Sequence, residues 1–169
     1  MKFKRIFLIG FMCSGKSTVG KELAKSLSWK FCDLDEEVQK EEGMSIKEIF
    51  ELKGEDYFRK RELEVLKLLV LEDNAVISTG GGLGANKEAL ELMKRHGLVV
   101  WLDVSFDAFL QRCKNAQERP LLKKSLGELK KLYQERKKIY SQAHAHIDTK
   151  EEPDKIAQRI IQILQDERR

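Results

Sequence analysis

The sequence predicts one α/β domain organised around a largely parallel β-sheet. Apolar runs of strand length recur along the chain and alternate with segments of helical spacing, which is the pattern of successive strand–helix–strand units. The first of these runs leads directly into a glycine-bounded loop and an amphipathic helix. The 169 residues, of which 41% are apolar, suffice for one buried core without disulfides or a structural metal ion.

The first half of the chain contains two strands and a long helical stretch. The predicted elements are a strand at 5–10, a helix at 15–27, a strand at 30–33 and helices across 36–70. Within the helical stretch, Ser45 stands three residues before Glu48, the spacing of a capping box. We therefore expect one of these helices to begin immediately after Ser45.

The second half continues the alternation of strands and helices. The predicted elements are a strand at 75–79, a helix from Asn86 to about 95, a strand at 98–103, a helix from about 106, a charged loop at 113–124, a helix at 125–143, a strand at 145–148 and a closing helix with Pro153 in its first turn. Three glycines, residues 80–82, follow the third strand, and they predict either exposed backbone N–H groups that a ligand can approach closely or simply a flexible turn.

Charge and cysteine content narrow the class of protein. The 32 basic and 28 acidic residues give a net charge of +4 with no basic stripe, so we expect no nucleic-acid partner. No run of about 18 apolar residues predicts a membrane span. Cys13, Cys32 and Cys113 lack metal-site spacing and are interpreted as free thiols.

We expect the protein to be a monomer in the cytoplasm. Its content of Glu and Lys is high, which is typical either of a heat-adapted protein or of long solvated helices.

The loop after the first strand predicts a phosphate-binding site. Residues 10–17 read GFMCSGKS and match the pattern G-x-x-x-x-G-K-S/T, with a strand before and a helix after it. Backbone N–H groups of such a loop surround phosphate oxygens, Lys16 supplies a cation for the β- and γ-phosphates, and Ser17 supplies a hydroxyl for Mg²⁺. The chain lacks the N-K-x-D and D-x-x-G motifs of switch GTPases, which disfavours that class.

Other candidate residues are ambiguous when each is considered alone. Asp33 and Asp35 leave the second strand, where an extended chain would direct both carboxylates into one cleft. Asp33 could equally be the N-cap of the next helix. Arg59 and Arg136 would each be interpreted as solvated surface charges from composition alone.

Taken together, the motifs resemble those of the shikimate kinases, from residue 6 to about residue 163. The resemblance depends on an ordered set: the phosphate-binding loop, Asp33 and Asp35, Phe58-Arg59, the three glycines, Arg119-Pro120-Leu121-Leu122, and Arg136 followed by Tyr140. It implies a nucleoside-monophosphate-kinase-like fold, an α/β three-layer sandwich whose five parallel strands are ordered 2-3-1-4-5. It also implies a helical substrate-binding region at about 33–62 and a mobile lid at about 113–125.

The resemblance further implies a task for each matching residue. ATP would be bound by Cys13, Ser14, Gly15, Lys16, Ser17, Thr18, Arg112, Arg119 and Pro153, and Mg²⁺ by Ser17 with Asp33 in its outer shell. Shikimate would be bound by Asp35, Arg59, Gly81, Gly82 and Arg136, the two arginines clamping its carboxylate. Lys16, Asp35 and Arg119 would be the catalytic residues, Asp35 acting as the base.

The implied activity is transfer of the γ-phosphoryl group of ATP to the 3-hydroxyl of shikimate. The products would be ADP and shikimate 3-phosphate, on the route to chorismate and the aromatic amino acids. Two alternatives stay open: a related kinase for another small metabolite such as gluconate, and a non-catalytic module that closes on a nucleotide to recruit a protein. The first predicts turnover with a different acceptor, and the second predicts no turnover with any small acceptor.

Overall fold

The structure is a computed structural model that describes residues 3–113 and 125–166. The described elements are β1 (Arg5–Ile9), α1 (Lys16–Leu27), β2 (Lys30–Asp33), α2 (Leu34–Glu42), α3 (Ile46–Lys53), α4 (Glu55–Leu69), β3 (Ala75–Ser78), α5 (Gly81–Gly84), α6 (Lys87–His96), β4 (Leu98–Asp103), α7 (Phe106–Arg112), α8 (Leu126–Tyr140), β5 (Ala145–Asp148) and α9 (Pro153–Asp166). The predicted lid falls largely in 114–124, outside the described residues.

The five strands form one sheet in the order β2-β3-β1-β4-β5, and every neighbouring pair is parallel. The central strand β1 is buried on both faces, because helices cover each side of the sheet. On one side Ile6 and Leu8 pack with residues of α1 and α9, and on the other Phe7 and Ile9 pack with the remaining helices. The predicted three-layer α/β sandwich and its strand order are confirmed.

Local signals account for where several helices begin. In α3, the Ser45 hydroxyl accepts the Glu48 N–H and the Glu48 carboxylate accepts the Ser45 N–H, so the predicted capping box is confirmed. In α6, the Asn86 side chain accepts the Ala89 N–H at 3.0 Å. The predicted helix over 125–143 is shorter, since α8 ends at Tyr140.

The glycine run after β3 is not the flexible turn that was one of its two predicted interpretations. Residues Gly81–Gly84 form one helical turn, α5, which lies directly against the central strand. A Cβ added at Gly84 would lie 2.8 Å from the Cβ of Ile9 and 3.3 Å from a ring carbon of Tyr140. Glycine is needed there because any side chain would push the turn away from β1.

The interpretation of all three cysteines as free thiols is wrong for two of them. Cys13, in the phosphate-binding loop, forms a disulfide with Cys113, which caps the C-terminal end of α7; their Cα atoms are 6.0 Å apart. The two residues are separated by 100 positions, so no local spacing could have indicated the pair. Cys32 is the free and buried cysteine of the described chain.

None of the helices in 3–113 and 125–166 is both long and apolar enough to cross a membrane.

Candidate active site

The candidate site is a cleft of about 180 Å³ at the C-terminal edge of the sheet. This is the edge at which open α/β sheets bind their ligands. Its lining comes from the loop after β1, the start of α1 and the segments that follow β2 and β3. The lining residues are Cys13, Ser14, Gly15, Lys16, Ser17, Thr18, Asp33, Asp35, Ser78, Thr79, Gly80 and Gly81.

The phosphate-binding loop wraps around the ammonium group of Lys16. Its Nζ donates to the carbonyl oxygens of Gly10 at 2.8 Å and Phe11 at 3.0 Å and to the Ser14 hydroxyl at 3.3 Å. Gly10 is required because an added Cβ would lie 2.5 Å from the Leu102 carbonyl oxygen of β4. The loop therefore sits tightly on the neighbouring strand and presents its N–H groups at the start of α1, where a helix favours an anion.

Asp33 has two roles that the sequence left as alternatives. One carboxylate oxygen caps α2 by accepting the N–H groups of Asp35 at 3.0 Å and Glu36 at 3.3 Å. The other accepts the Ser17 hydroxyl at 2.9 Å. Hydroxyl and carboxylate oxygens are ligands that Mg²⁺ prefers, so the donor chemistry of Ser17 and Asp33 fits a magnesium ion.

Asp35 reaches the cleft by a different geometry from the one predicted. The extended arrangement of Asp33 and Asp35 is wrong, because α2 begins at Leu34 and Asp35 lies in its first turn. Asp35 nevertheless lines the same cleft as Asp33. A Cβ added at Gly80 would lie 2.9 Å from an Asp35 carboxylate oxygen and 3.1 Å from one of Glu62, so two acidic groups meet beside this glycine.

Glu62 is a site residue that the sequence analysis missed. It is 1% exposed, and burial raises the pKa of its carboxyl group to about 7, although the nearby Arg59 guanidinium opposes this. Its Oε1 atom accepts a hydrogen bond from Arg59 at 2.7 Å. A signal was available, because Glu62 shares one face of α4 with buried Phe58 and Leu66.

Two guanidinium groups flank the glycine turn of α5. A Cβ added at Gly82 would lie 2.3 Å from Arg59 Nη1, and one added at Gly81 would lie 3.1 Å from Arg136 Nη1. Arg136 is 8% exposed, contrary to the interpretation from composition as a solvated charge, and burial lowers its pKa. Helices α4 and α8 thus place two planar cations beside one backbone turn, next to the phosphate-binding loop.

Arg112 closes the opposite side of the loop. Its guanidinium lies 3.5 Å from the carbonyl oxygens of Cys13 and Ser14 and donates to the Thr149 carbonyl at 3.2 Å. Pro153 is the first residue of α9, four positions after Thr149. Arg119, predicted to be catalytic, lies outside the described residues.

Comparison with known proteins agrees with this arrangement. A family model described as shikimate kinase matches residues 12–165. The chain belongs to the shikimate kinase family. A shikimate kinase of Aquifex aeolicus is 57% identical over 161 residues, covering 95% of this chain and 96% of that protein. One of Persephonella marina is 51% identical over 146 residues, covering 86% and 89% of the two chains.

Solved shikimate kinases share the whole architecture. The crystal structure from Aquifex aeolicus has a TM-score of 0.87 and 52% identity, covering 96% of this chain and 97% of that one. A shikimate kinase from Acinetobacter baumannii, solved in complex with shikimate, has a TM-score of 0.93 and 36% identity and covers 98% and 94% of the two chains.

Proposed function

We propose that this protein transfers the γ-phosphoryl group of ATP to the 3-hydroxyl of shikimate, giving ADP and shikimate 3-phosphate. The observation that carries the proposal is the convergence of Arg59 and Arg136 on the turn Gly81–Gly82, beside a complete phosphate-binding loop. Two fixed guanidinium groups suit an acceptor whose carboxylate stands on a rigid ring, since each can donate two parallel hydrogen bonds.

The acceptor would be held between its carboxylate and its hydroxyl groups. With the carboxylate between Arg59 and Arg136, the ring would lie beside the turn Gly81–Gly82, where the absence of side chains lets both guanidinium groups approach the backbone closely. The ring hydroxyls then face Asp35 at the entrance to α2. This orientation directs one hydroxyl toward the phosphate-binding loop, and positioning of this kind supplies much of the rate in phosphoryl transfer.

Charge on the nucleotide would be neutralised mainly by Lys16 and the N–H groups at the start of α1. Lys16 Nζ is already held in the centre of the loop by backbone carbonyls, so it is placed for the β- and γ-phosphates. Ser17 and Asp33 would hold Mg²⁺, which when bound supplies further positive charge to the phosphate oxygens.

Asp35 would act as the base. As the oxygen of the substrate hydroxyl forms its bond to the γ-phosphorus, the bond from that phosphorus to the β–γ bridging oxygen breaks and ADP leaves. The hydroxyl proton passes to the Asp35 carboxylate. Arg119 on the lid at about 113–125 would stabilise the transferring group, and Arg112 and Pro153 would flank the adenine, both on the strength of the family resemblance.

The test is a coupled assay of ADP release with Mg·ATP, with shikimate or gluconate as acceptor. We expect release with shikimate only. We further expect Arg59→Lys and Arg136→Lys to raise KM for shikimate at least about tenfold and to spare KM for ATP, because lysine cannot form the bidentate contact. Arg159→Lys, at an exposed position of α9, is the matched control and should change neither constant.

Other outcomes would redirect the assignment. Release with gluconate alone would leave the nucleotide site in place and assign a different acceptor. Nucleotide binding without release by any small acceptor would favour the non-catalytic module. Normal KM values for shikimate in both arginine variants would contradict the binding of the substrate carboxylate by Arg59 and Arg136.

Several expectations from the sequence stay predictions. These are the monomeric state, the cytoplasmic location, the absence of a nucleic-acid partner, and the division into a helical substrate-binding region at about 33–62 and a lid.

A further inference from the structure

Tyr140 is a fully buried phenol at the last position of α8, with 1% of its surface exposed. Its hydroxyl donates a hydrogen bond of 2.5 Å to the carbonyl oxygen of Gly81. Its ring contacts the edge of the α5 turn, where a Cβ at Gly84 would approach within 3.3 Å. The side chain therefore holds α5 both by packing and by a directed bond to its first residue.

The bond to Gly81 determines where the next amide points. The peptide unit between Gly81 and Gly82 is planar and trans, so its C=O and N–H point in opposite directions. Because Tyr140 fixes the carbonyl on its own side, the Gly82 N–H is directed away from Tyr140. As a first-turn amide it has no partner within α5. Glycine itself offers no side chain to restrain this peptide plane, so the restraint has to come from a neighbour.

Tyr140 also adjoins one of the two guanidinium groups of the site. Arg136 lies one helical turn earlier on α8, and the charge of its guanidinium acts directly on the Tyr140 phenol. Among the described residues, Arg136 Nη1 has no hydrogen-bond partner, although it is buried. Gly81, Arg136 and Tyr140 thus form a compact group in which the phenol contacts both the Gly81 carbonyl and the Arg136 guanidinium.

We propose that Tyr140 is a positioning residue for the substrate carboxylate site, acting through the Gly81 carbonyl and the Arg136 guanidinium rather than by touching the substrate. The inference rests on the proposed function. Burial raises the pKa of Tyr140, so the phenol keeps its proton and stays a donor throughout the physiological range. Restraint by a second layer of side chains is a common means of holding binding groups in a productive geometry.

The test compares Tyr140→Phe with Tyr133→Phe. Tyr133 lies on the same helix and its hydroxyl also donates to a backbone carbonyl, that of Val104 at 2.8 Å, so it controls for the loss of one such bond. We expect Tyr140→Phe to raise the dissociation constant and KM for shikimate roughly tenfold while KM for ATP changes less than about twofold. Tyr133→Phe should leave the shikimate constants unchanged.

A combination with Arg136→Lys separates positioning from general stability. If Tyr140 acts through Arg136, adding Tyr140→Phe to Arg136→Lys should weaken shikimate binding by clearly less than tenfold. A lower melting temperature with equal losses for ATP and shikimate would overturn the proposal, and so would unchanged shikimate constants in Tyr140→Phe. Failure of the wild-type enzyme to use shikimate would instead overturn the proposed function.

Discussion

At the scale of single residues, Glu62 is an acid of the candidate site whose pKa is strongly perturbed. It is surrounded by charges from three helices: Arg59 on its own helix α4, Asp35 on α2 and Arg136 on α8. Burial and the neighbouring Asp35 raise its pKa, and the two arginines lower it, with the net result of about 7. Because an exposed glutamate ionises near 4.5, the folded protein retains a proton here that the unfolded chain releases.

This retained proton predicts a pH dependence of stability. Between about pH 4.5 and 7 the native state binds more protons at this position, so the free energy of unfolding falls as pH rises. Denaturant titrations of the substrate-free protein measure this dependence. Between pH 5 and pH 8, the free energy of unfolding of the wild type should fall by about 2 to 3 kcal/mol more than that of Glu62→Gln. Glu55→Gln removes the other, exposed carboxylate partner of Arg59 and serves as the control. Parallel pH curves for wild type and Glu62→Gln would contradict the prediction.

At the scale of elements, one carboxylate joins three helices of the predicted substrate-binding region. Glu42, at the end of α2, has a side chain only 5% exposed. It accepts hydrogen bonds from Lys53 of α3 at 2.9 Å and from Tyr57 and Arg61 of α4, each at 2.7 Å. These bonds, led by the one from Tyr57, lower the pKa of Glu42 to about 2.

We expect Glu42→Gln to loosen the packing of α2, α3 and α4 against one another. The amide keeps the shape but loses the charge that attracts Lys53 and Arg61, so hydrogen exchange should quicken in these helices and stay unchanged in the sheet. Since the pKa is lowered, the contribution of the ionised group is complete above about pH 4.5 and fades as pH falls toward 2. Glu41→Gln is the control, because Glu41 is half exposed and, among the described residues, its carboxylate pairs with Arg61 at the longer distance of 3.5 Å. Equal hydrogen-exchange rates in Glu42→Gln and Glu41→Gln would contradict the role of Glu42 in holding the three helices together.

Elements with a local signature could be predicted from the sequence. The strands are short apolar runs, and Ser45 and Asn86 mark helix starts through hydrogen bonds that span only three residues. The turn α5 could not be predicted, because glycine has poor helix propensity and the turn is held by contacts with Ile9 and Tyr140, far away in the chain. Asp35 has a different, local reason: the cap that Asp33 gives to α2 places Asp35 in the first helical turn instead of in an extended chain.

At the scale of the whole molecule, the disulfide between Cys13 and Cys113 closes a loop of 100 residues that includes strands β2 to β4 and helices α1 to α7. Closing so long a loop restricts the unfolded chain strongly, so we expect a dithiol reductant to lower the free energy of unfolding by about 2 to 4 kcal/mol. The melting temperature should fall by about 5 to 15 °C.

Cys113→Ser provides the control for this prediction. The variant should melt near the temperature of the reduced wild type, and the reductant should then have no further effect. An unchanged melting temperature of wild type on reduction, together with three alkylatable thiols in the untreated protein, would show that the bond does not form in solution.

The functional site was predictable to the extent that its residues belong to motifs. Lys16, Ser17 and Asp33 meet because a strand, a loop and a helix follow one another with standard geometry. The approach of Arg59 and Arg136 to one glycine turn depends on how α4 and α8 pack, which no short spacing encodes. Only the family resemblance linked these two arginines in advance, and neither it nor composition indicated Glu62.

The position of β1 in the centre of the sheet affects how the protein can fold during its synthesis. A growing polypeptide leaves the ribosome with its N-terminus first, so β1 and the phosphate-binding loop emerge before β3 and β4. The neighbours of β1 are β3 and β4, which end at Ser78 and Asp103, and Gly10 rests against the Leu102 carbonyl. The phosphate-binding loop is therefore translated before both strands that flank β1, and its contact with Leu102 can form only after β4 has been made.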